Sequence, residues 1–176
     1  MYHILFNDEI NEVSCRSFIQ ELNDVKIIDS SEYINIYFSS TGGNVDSAIA
    51  MIDAINTHHY RGNIILSSLS VLCSAAVEIF LDTITFKRIL DPNMFCMVHI
   101  GTCPIDYREM FKKESFESWN LRVLENSKKE YIAKLKSWGL TKSEITKINN
   151  GEDFWFGSEK LLKMCEKLQH KMMKIE

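Results

Sequence analysis

Two prolines, Pro92 and Pro104, and seven glycines are the only strong backbone punctuation in 176 residues, and only Gly42-Gly43 sets two glycines side by side. Punctuation this sparse excludes Pro- or Gly-rich linkers and low-complexity tracts, and it makes each instance informative. No internal repeat is found, which sets repeat architectures aside. No apolar run approaches the ~20 residues of a membrane-spanning helix. The opening residues Met1 to Glu9 lack the basic start and long apolar stretch of a secretory signal. The expectation is a cytoplasmic protein with no membrane partner and no leader. Cationic excess is missing too. Twenty Lys and Arg stand against 24 Asp and Glu, a net charge of -4, which argues against a general nucleic-acid binder with a basic face. The five cysteines, Cys15, Cys73, Cys96, Cys103 and Cys165, are odd in number and contain no CxxC pair. Cys96 and Cys103 have no second ligand pair, so no metal site is expected. Buried thiols in a reducing compartment fit this usage, and no cofactor is implied.

What is present is ordinary globular composition, with 45% hydrophobic and 25% charged residues, in a length that suits one domain. Residues 4–6 form a first short strand. Residues 11–23 form a helix with Val13, Phe18, Ile19 and Leu22 on its apolar face. Residues 33–39, rich in β-branched and aromatic side chains, form a strand that Gly42-Gly43 breaks. Residues 46–56 form a helix with Ile49, Ile52 and Ile55 on one side. Residues 64–66 form a strand, a serine-rich turn follows, and 72–81 form a buried helix. Strands at 83–89 and 95–100 flank the Asp91-Pro92-Asn93 turn. Residues 106–137 form a long helix, or a broken pair, with spaced apolar positions Phe111, Leu121, Leu124, Tyr131, Ile132 and Leu135 and a C-cap at Gly139. Thr141 and Glu144 make a capping box, residues 154–156 a last strand, and Ser158 caps a helix reaching about residue 170. Strands alternating with helices indicate an α/β fold with a largely parallel sheet.

Three features carry possible chemistry. Ser40-Thr41-Gly42-Gly43-Asn44-Val45 joins a strand to a helix, where glycines let the backbone approach a ligand and turn N–H groups toward an anion. Read without further context, a tight turn with no ligand is the commoner explanation. Ser74 lies near the start of an apolar helix, where free N–H groups and the helix dipole favour a developing oxyanion. A small polar residue packed in a helix is the bland alternative. His99 ends the apolar strand Phe95-Cys96-Met97-Val98, at the end of a strand where catalytic groups of α/β sheets tend to lie. A core histidine bonded to a carbonyl is its alternative. His3, His58, His59 and His170 read as surface residues. A Ser–His pair needs a carboxylate to orient the imidazole, and Asp153, Asp82 and Asp106 all stand as candidates.

The run Ile34 to Val45 resembles the strand and Asn-Ser-Pro-Gly-Gly-x-Val turn of the proteolytic subunit of Clp protease (ClpP), within the crotonase-like fold. Ser74 falls where that family has its Ala-Ala-Ser-Met-Gly-Ala nucleophile, and Leu90 to His99 resembles Leu-Pro-Asn-Ser followed by Met-Ile-His. His99 follows Ser74 by 25 residues, the family's interval. Asp153 to Glu159 resembles Asp-Arg-Phe-Met-Ser-Ala-x-Glu. The resemblance implies an α/β ClpP/crotonase-like fold of repeated β-β-α units with a long protruding handle helix. It implies one domain over 1–176, with the handle at about 104–140. It implies a serine endopeptidase with Ser74 as nucleophile, His99 as base and acid, and Asp153 as orienting carboxylate. Gly43 and Ala75 would supply oxyanion-hole N–H groups, and the segment from Val45 would pair with substrate backbone. The partners implied are peptide or unfolded protein, and further copies of the chain in stacked rings.

Departures accompany the match. Thr41 stands for proline, Leu72-Cys73 and Ala75-Ala76 replace the residues flanking the nucleophile, and His99 to Asp153 spans a few residues more than usual. The chain begins almost at the first core strand, without the pore segment through which the family engages an AAA+ unfoldase, so that partner is left open. A catalytically weak or inactive structural subunit is the alternative reading. Another crotonase-like acyl-CoA enzyme comes last, because a Ser/His/Asp set is not what that chemistry needs.

Overall fold

Alternation in the first strand shows where its core lies. In β1 (Tyr2–Asn7), Ile4 and Phe6 are buried while His3, Leu5 and Asn7 are exposed, the two-residue period of a strand with one covered face. β2 (Tyr33–Ser40) and β3 (Asn63–Cys73) are buried along most of their length, as central parallel strands are. The computed structural model describes residues 1–25, 32–59, 63–101 and 114–172. In it β1 pairs with β2, β2 with β3, and β3 with both β4 (Lys87–Ile89) and β5 (Phe95–Val98), all in parallel. With 11 residues, β3 is long enough to hold β4 on its first half and β5 on its last three residues. The strand order is β1-β2-β3-β5-β6, with β6 at Phe154–Gly157.

Six helices occur among the described residues: α1 (Glu12–Asp24), α2 (Val45–His59), α3 (Ala75–Asp82), α4 (Glu114–Trp138), α5 (Lys142–Asn149) and α6 (Ser158–Met172). The chain divides into two compact units, Met1–Val98 with Trp155–Glu176, and His99–Phe154. In the first, Phe6 stacks on Phe38 at 4.9 Å and meets Phe18 edge-on at 5.7 Å, joining β1, β2 and α1 through favoured aromatic geometries. In the second, α4 packs on α5 around the buried Leu135, Trp138, Ile145 and Ile148. Gly139 (φ 102) ends α4 as expected, with its N–H donating to Lys136 and that of Leu140 to Leu135, a Schellman cap. Thr141 and Glu144 form both bonds of the capping box.

Several local expectations change in the structure. The buried stripe of α1 is Cys15, Phe18 and Leu22, and Val13 is exposed. That of α2 is Ala48, Met51 and Ile55, with Ile49 exposed. Both stripes keep i, i+3, i+7 spacing, and the discarded residues lie off that line on a helix. The serine-rich stretch is strand. Ser67 Oγ donates to Asn35 Oδ1 at 2.7 Å and Ser68 Oγ to Met94 Sδ at 3.0 Å, so hydroxyls inside the sheet are satisfied across it. Residues 72–73 end β3 and are not helical. The strand expected from residue 83 begins only at 87. Residues 83–84 are tied by side chains, Arg88 donating to the carbonyls of Phe80, Leu81 and Thr83, and Asn56 Oδ1 accepting from Ile84 N–H. Ser158 does not cap α6 through its hydroxyl, which donates to the Pro92 carbonyl. His58 is buried, with Nε2 2.9 Å from Asn23 Oδ1. Cys103, Pro104, Asp106 and Phe111, and the side chains of His59, Leu121, Leu124 and His170, lie outside the described residues.

Cys15, Cys73, Cys96 and Cys165 are buried and stand outside any disulfide. Burial, with smaller contributions from Cys73 and Cys165, pushes Cys96 from 9.0 to about 12, and burial pushes Cys165 to about 11. The folded state therefore holds these protons to higher pH than the unfolded chain. Below pH 9 the two states bind them equally, and above it the unfolded state loses them first, so stability falls as pH rises from about 9 toward 12. The urea midpoint is expected to drop over that window, and to drop less in Cys96→Ala. An equal drop in both proteins assigns the alkaline loss to other groups.

Candidate active site

Two parallel strands end side by side at the candidate site. A register shift after Phe38 sets Ser40 of β2 opposite Leu72 of β3. From these carboxyl ends the chain enters α2 through Thr41 to Asn44 and enters α3 through Ser74, the position where open α/β sheets hold ligands. Gly42 and Gly43 have φ of 95° and 143°, a region that favours glycine. A Cβ on Gly42 would fall 2.6 Å from the Cys73 carbonyl oxygen and 2.9 Å from Ser74 Cβ. The glycine turn thus lies directly against the Cys73–Ser74 peptide. A Cβ on Gly43 would overlap the Ile10 carbonyl. Gly42 N–H donates to Ser40 Oγ at 3.0 Å and Gly42 C=O accepts from Ile10 N–H at 2.8 Å. Asn44 N–H donates to Ile10 C=O at 2.7 Å. Of three consecutive amides, only that of Gly43 stays outside this clamp. Gly43→Ala is expected to lower unfolding free energy by at least about 2 kcal/mol, from the left-handed φ and the lost fit against Ile10 together. Chemical denaturation measures it, and an unchanged midpoint contradicts the account.

Ser74 has φ 53° and ψ -123° and is the only non-glycine residue with positive φ among the described residues. These are the dihedrals of the first central residue of a type II′ turn, normally glycine. Its N–H donates to Met97 C=O at 2.7 Å and its C=O accepts from Val77 N–H at 3.0 Å. Its hydroxyl makes no capping bond to the helix it precedes. Ala75 opens α3, where a helix has no intrahelical acceptor for the amide. Leu72 and Cys73 are buried in the core as the end of β3.

Asn44 determines what becomes of Val45. The Asn44 side chain accepts from Ser47 N–H at 2.8 Å and its carbonyl from Ala48 N–H at 3.1 Å, which starts a helix. Val45 is accordingly the exposed first residue of α2, and the helix expected over 46–56 begins one residue earlier.

In the second unit, His99 Nδ1 lies 3.4 Å from Asp153 Oδ1, with the side chains 33% and 51% exposed. The separation is slightly longer than an optimal hydrogen bond. It orients the imidazole so that Nδ1 faces the carboxylate. Of the other two carboxylates considered, Asp82 ends α3, where its charge acts on Arg88, and Asp106 lies outside the described residues. Ser74, Gly43, Ala75 and Val45 belong to the first unit, His99 and Asp153 to the second. Sequence reasoning missed Ser40 and Ile10 as supports of the turn. The serine was visible beside the glycines, whereas nothing in the sequence marked Ile10.

Among the described residues no group of three or more His, Cys, Asp or Glu is arranged to hold a metal ion, and no helix is long and apolar enough to cross a membrane. A family model described as Clp protease matches residues 1–109. The chain belongs to the Clp protease family. The matched span includes the glycine turn, Ser74 and His99, and ends before Asp153. A ClpP1 point mutant from Listeria monocytogenes aligns with 92% of this chain and 86% of its own, at TM-score 0.67 and 18% sequence identity. The fold is therefore that of ClpP, with the mixed α/β layers and parallel sheet expected of a Clp protease.

Proposed function

We propose that this Clp protease family member is a serine peptidase acting through Ser74, His99 and Asp153. The backbone of Ser74 carries the reading. A serine held in a glycine-type conformation, at a strand-to-helix turn and against a glycine loop, is strained where strain serves an exposed nucleophile.

The chemistry follows from the groups in place. Asp153 accepts from His99 Nδ1–H and leaves Nε2 as the base. Nε2 takes the Ser74 hydroxyl proton as Oγ bonds to the scissile carbonyl carbon. The carbonyl oxygen becomes an oxyanion, which receives the N–H groups of Gly43 and Ala75, the latter at the positive end of α3. His99 returns the proton to the amine as the C–N bond breaks. Water, deprotonated by His99, then releases the peptide acid and restores Ser74. Buried Cys96 and Cys165, whose thiols burial keeps protonated, are poor competitors for the nucleophile's role.

In this reading the substrate is peptide or unfolded protein, α4 is the described part of the handle, and the chain works as a cytoplasmic oligomer of stacked rings. The assembled protein is expected to be labelled by a fluorophosphonate and to cleave an unfolded protein without ATP. An assembled, unlabelled protein overturns the peptidase reading in favour of an inactive assembly subunit. A strict monomer by analytical ultracentrifugation overturns the rings.

A further inference from the structure

The glycine turn is held by a side chain as well as by backbone. Ser40 is 3% exposed, ends β2 opposite Leu72, and accepts the Gly42 N–H on its hydroxyl. Gly42 in turn lies against the Cys73–Ser74 peptide with no room for a Cβ. Ser40 therefore ties the end of one strand to the turn that abuts the end of the other. The remaining ties, through Ile10 to Gly42 and Asn44, are backbone bonds. Without the hydroxyl, the Gly42 amide loses its acceptor in a buried place, and the Thr41–Gly42 peptide that leads into the turn is released, leaving the Ile10 N–H on Gly42 C=O to aim the next peptide. The Gly43 amide belongs to that next peptide, so without Ser40 its direction is held from the Ile10 end and no longer from both ends.

We propose that Ser40 is a positioning residue whose hydroxyl fixes the Gly43 N–H for the oxyanion. This rests on the peptidase reading above. It makes Ser40 a determinant of transition-state stabilisation that never touches substrate. Its loss leaves ground-state binding intact and lowers the rate of the chemical step, because a donor that strengthens only as charge develops acts on kcat and not on KM.

The test uses the assembled full chain with a fluorogenic peptide. Ser40→Ala is expected to lower kcat about 10- to 100-fold at unchanged KM, the range for a misplaced oxyanion donor. Affinity for a peptide boronate, which places an oxygen where the oxyanion forms, should weaken in proportion. Ser40→Thr, which keeps the hydroxyl, should restore most of the rate. Ser39→Ala is the control, since Ser39 is equally buried but its hydroxyl faces Ser70 at 3.4 Å and not the turn. Where Ser40→Ala fails to fold, Ser40→Cys keeps the volume while giving up the strong acceptor, and it should show the same loss. Equal kcat in wild type and a folded Ser40→Ala or Ser40→Cys overturns the proposal and leaves the peptidase reading standing. A rise in KM at unchanged kcat also overturns it. A wild type that takes no fluorophosphonate overturns both.

Discussion

Ser74→Ala is expected to reduce peptide hydrolysis to background, a loss of at least about 10⁴-fold in kcat. It also removes all fluorophosphonate labelling and leaves folding nearly unchanged. The nucleophile has no substitute, because water attacking without an acyl intermediate gains only from the oxyanion donors and binding. Retained stability follows from the position. Alanine pays the same backbone penalty at φ 53° that serine does. Ser74→Gly separates strain from chemistry. It is equally inactive, but relief of the left-handed conformation should raise unfolding free energy by about 1 kcal/mol. That gain, read by denaturant unfolding, is what a nucleophile held at a conformational cost predicts. If Ser74→Gly is less stable than wild type, the strain argument is wrong. If Ser74→Ala still hydrolyses peptide, Ser74 is not the nucleophile.

Asp153→Asn carries the second large effect. In the wild type the carboxylate faces His99 Nδ1 at 3.4 Å, which favours the tautomer with its proton on Nδ1 and Nε2 ready to accept. An amide NH₂ at the same place favours the opposite tautomer, with Nε2 protonated and unable to take the Ser74 proton. Imidazolium formed during reaction also loses its compensating charge. The expected loss is about 10²- to 10⁴-fold in kcat with KM little changed. It lies below that for Ser74 because Asp153 is 51% exposed and water replaces part of what it supplies. Steady-state kinetics on the assembled variant measures the loss. A variant within a few-fold of wild type removes Asp153 from the mechanism and returns the choice to the other carboxylates.

The glycine pair, Ser74 and His99 stood out as candidates because they fall at strand ends, and what singled them out was the resemblance to Clp protease, whose order and 25-residue serine-to-histidine interval they match. The parallel sheet was legible because strands and helices alternate. Local detail was less so. Val13 and Ile49 were as apolar as the residues that replaced them in the core, and only packing chose Cys15 and Met51. The serines of β3 read as a turn because their acceptors, Asn35 among them, lie some 30 residues away in the chain. The start of α2 at Val45, one residue ahead of the expected helix, follows from the Asn44 side chain accepting the Ser47 N–H.

By itself the sequence determined which groups exist and in what order. It provided a serine, a histidine, carboxylates, an adjacent glycine pair, and a composition able to fill a core. Order along a chain is set by covalent bonds and survives any fold. The tertiary structure alone decided how those groups are held. It set the glycine-like backbone of Ser74, the fit of Gly42 against the Cys73–Ser74 peptide, the Ile10 and Ser40 clamp that leaves the Gly43 amide out, and the orientation of His99 toward Asp153. Apart from the Ser74 backbone itself and the short-range Ser40–Gly42 bond, each is a contact of a few ångströms between residues far apart in sequence. Such contacts arise only when burial of the strands and helices around them sets their distance.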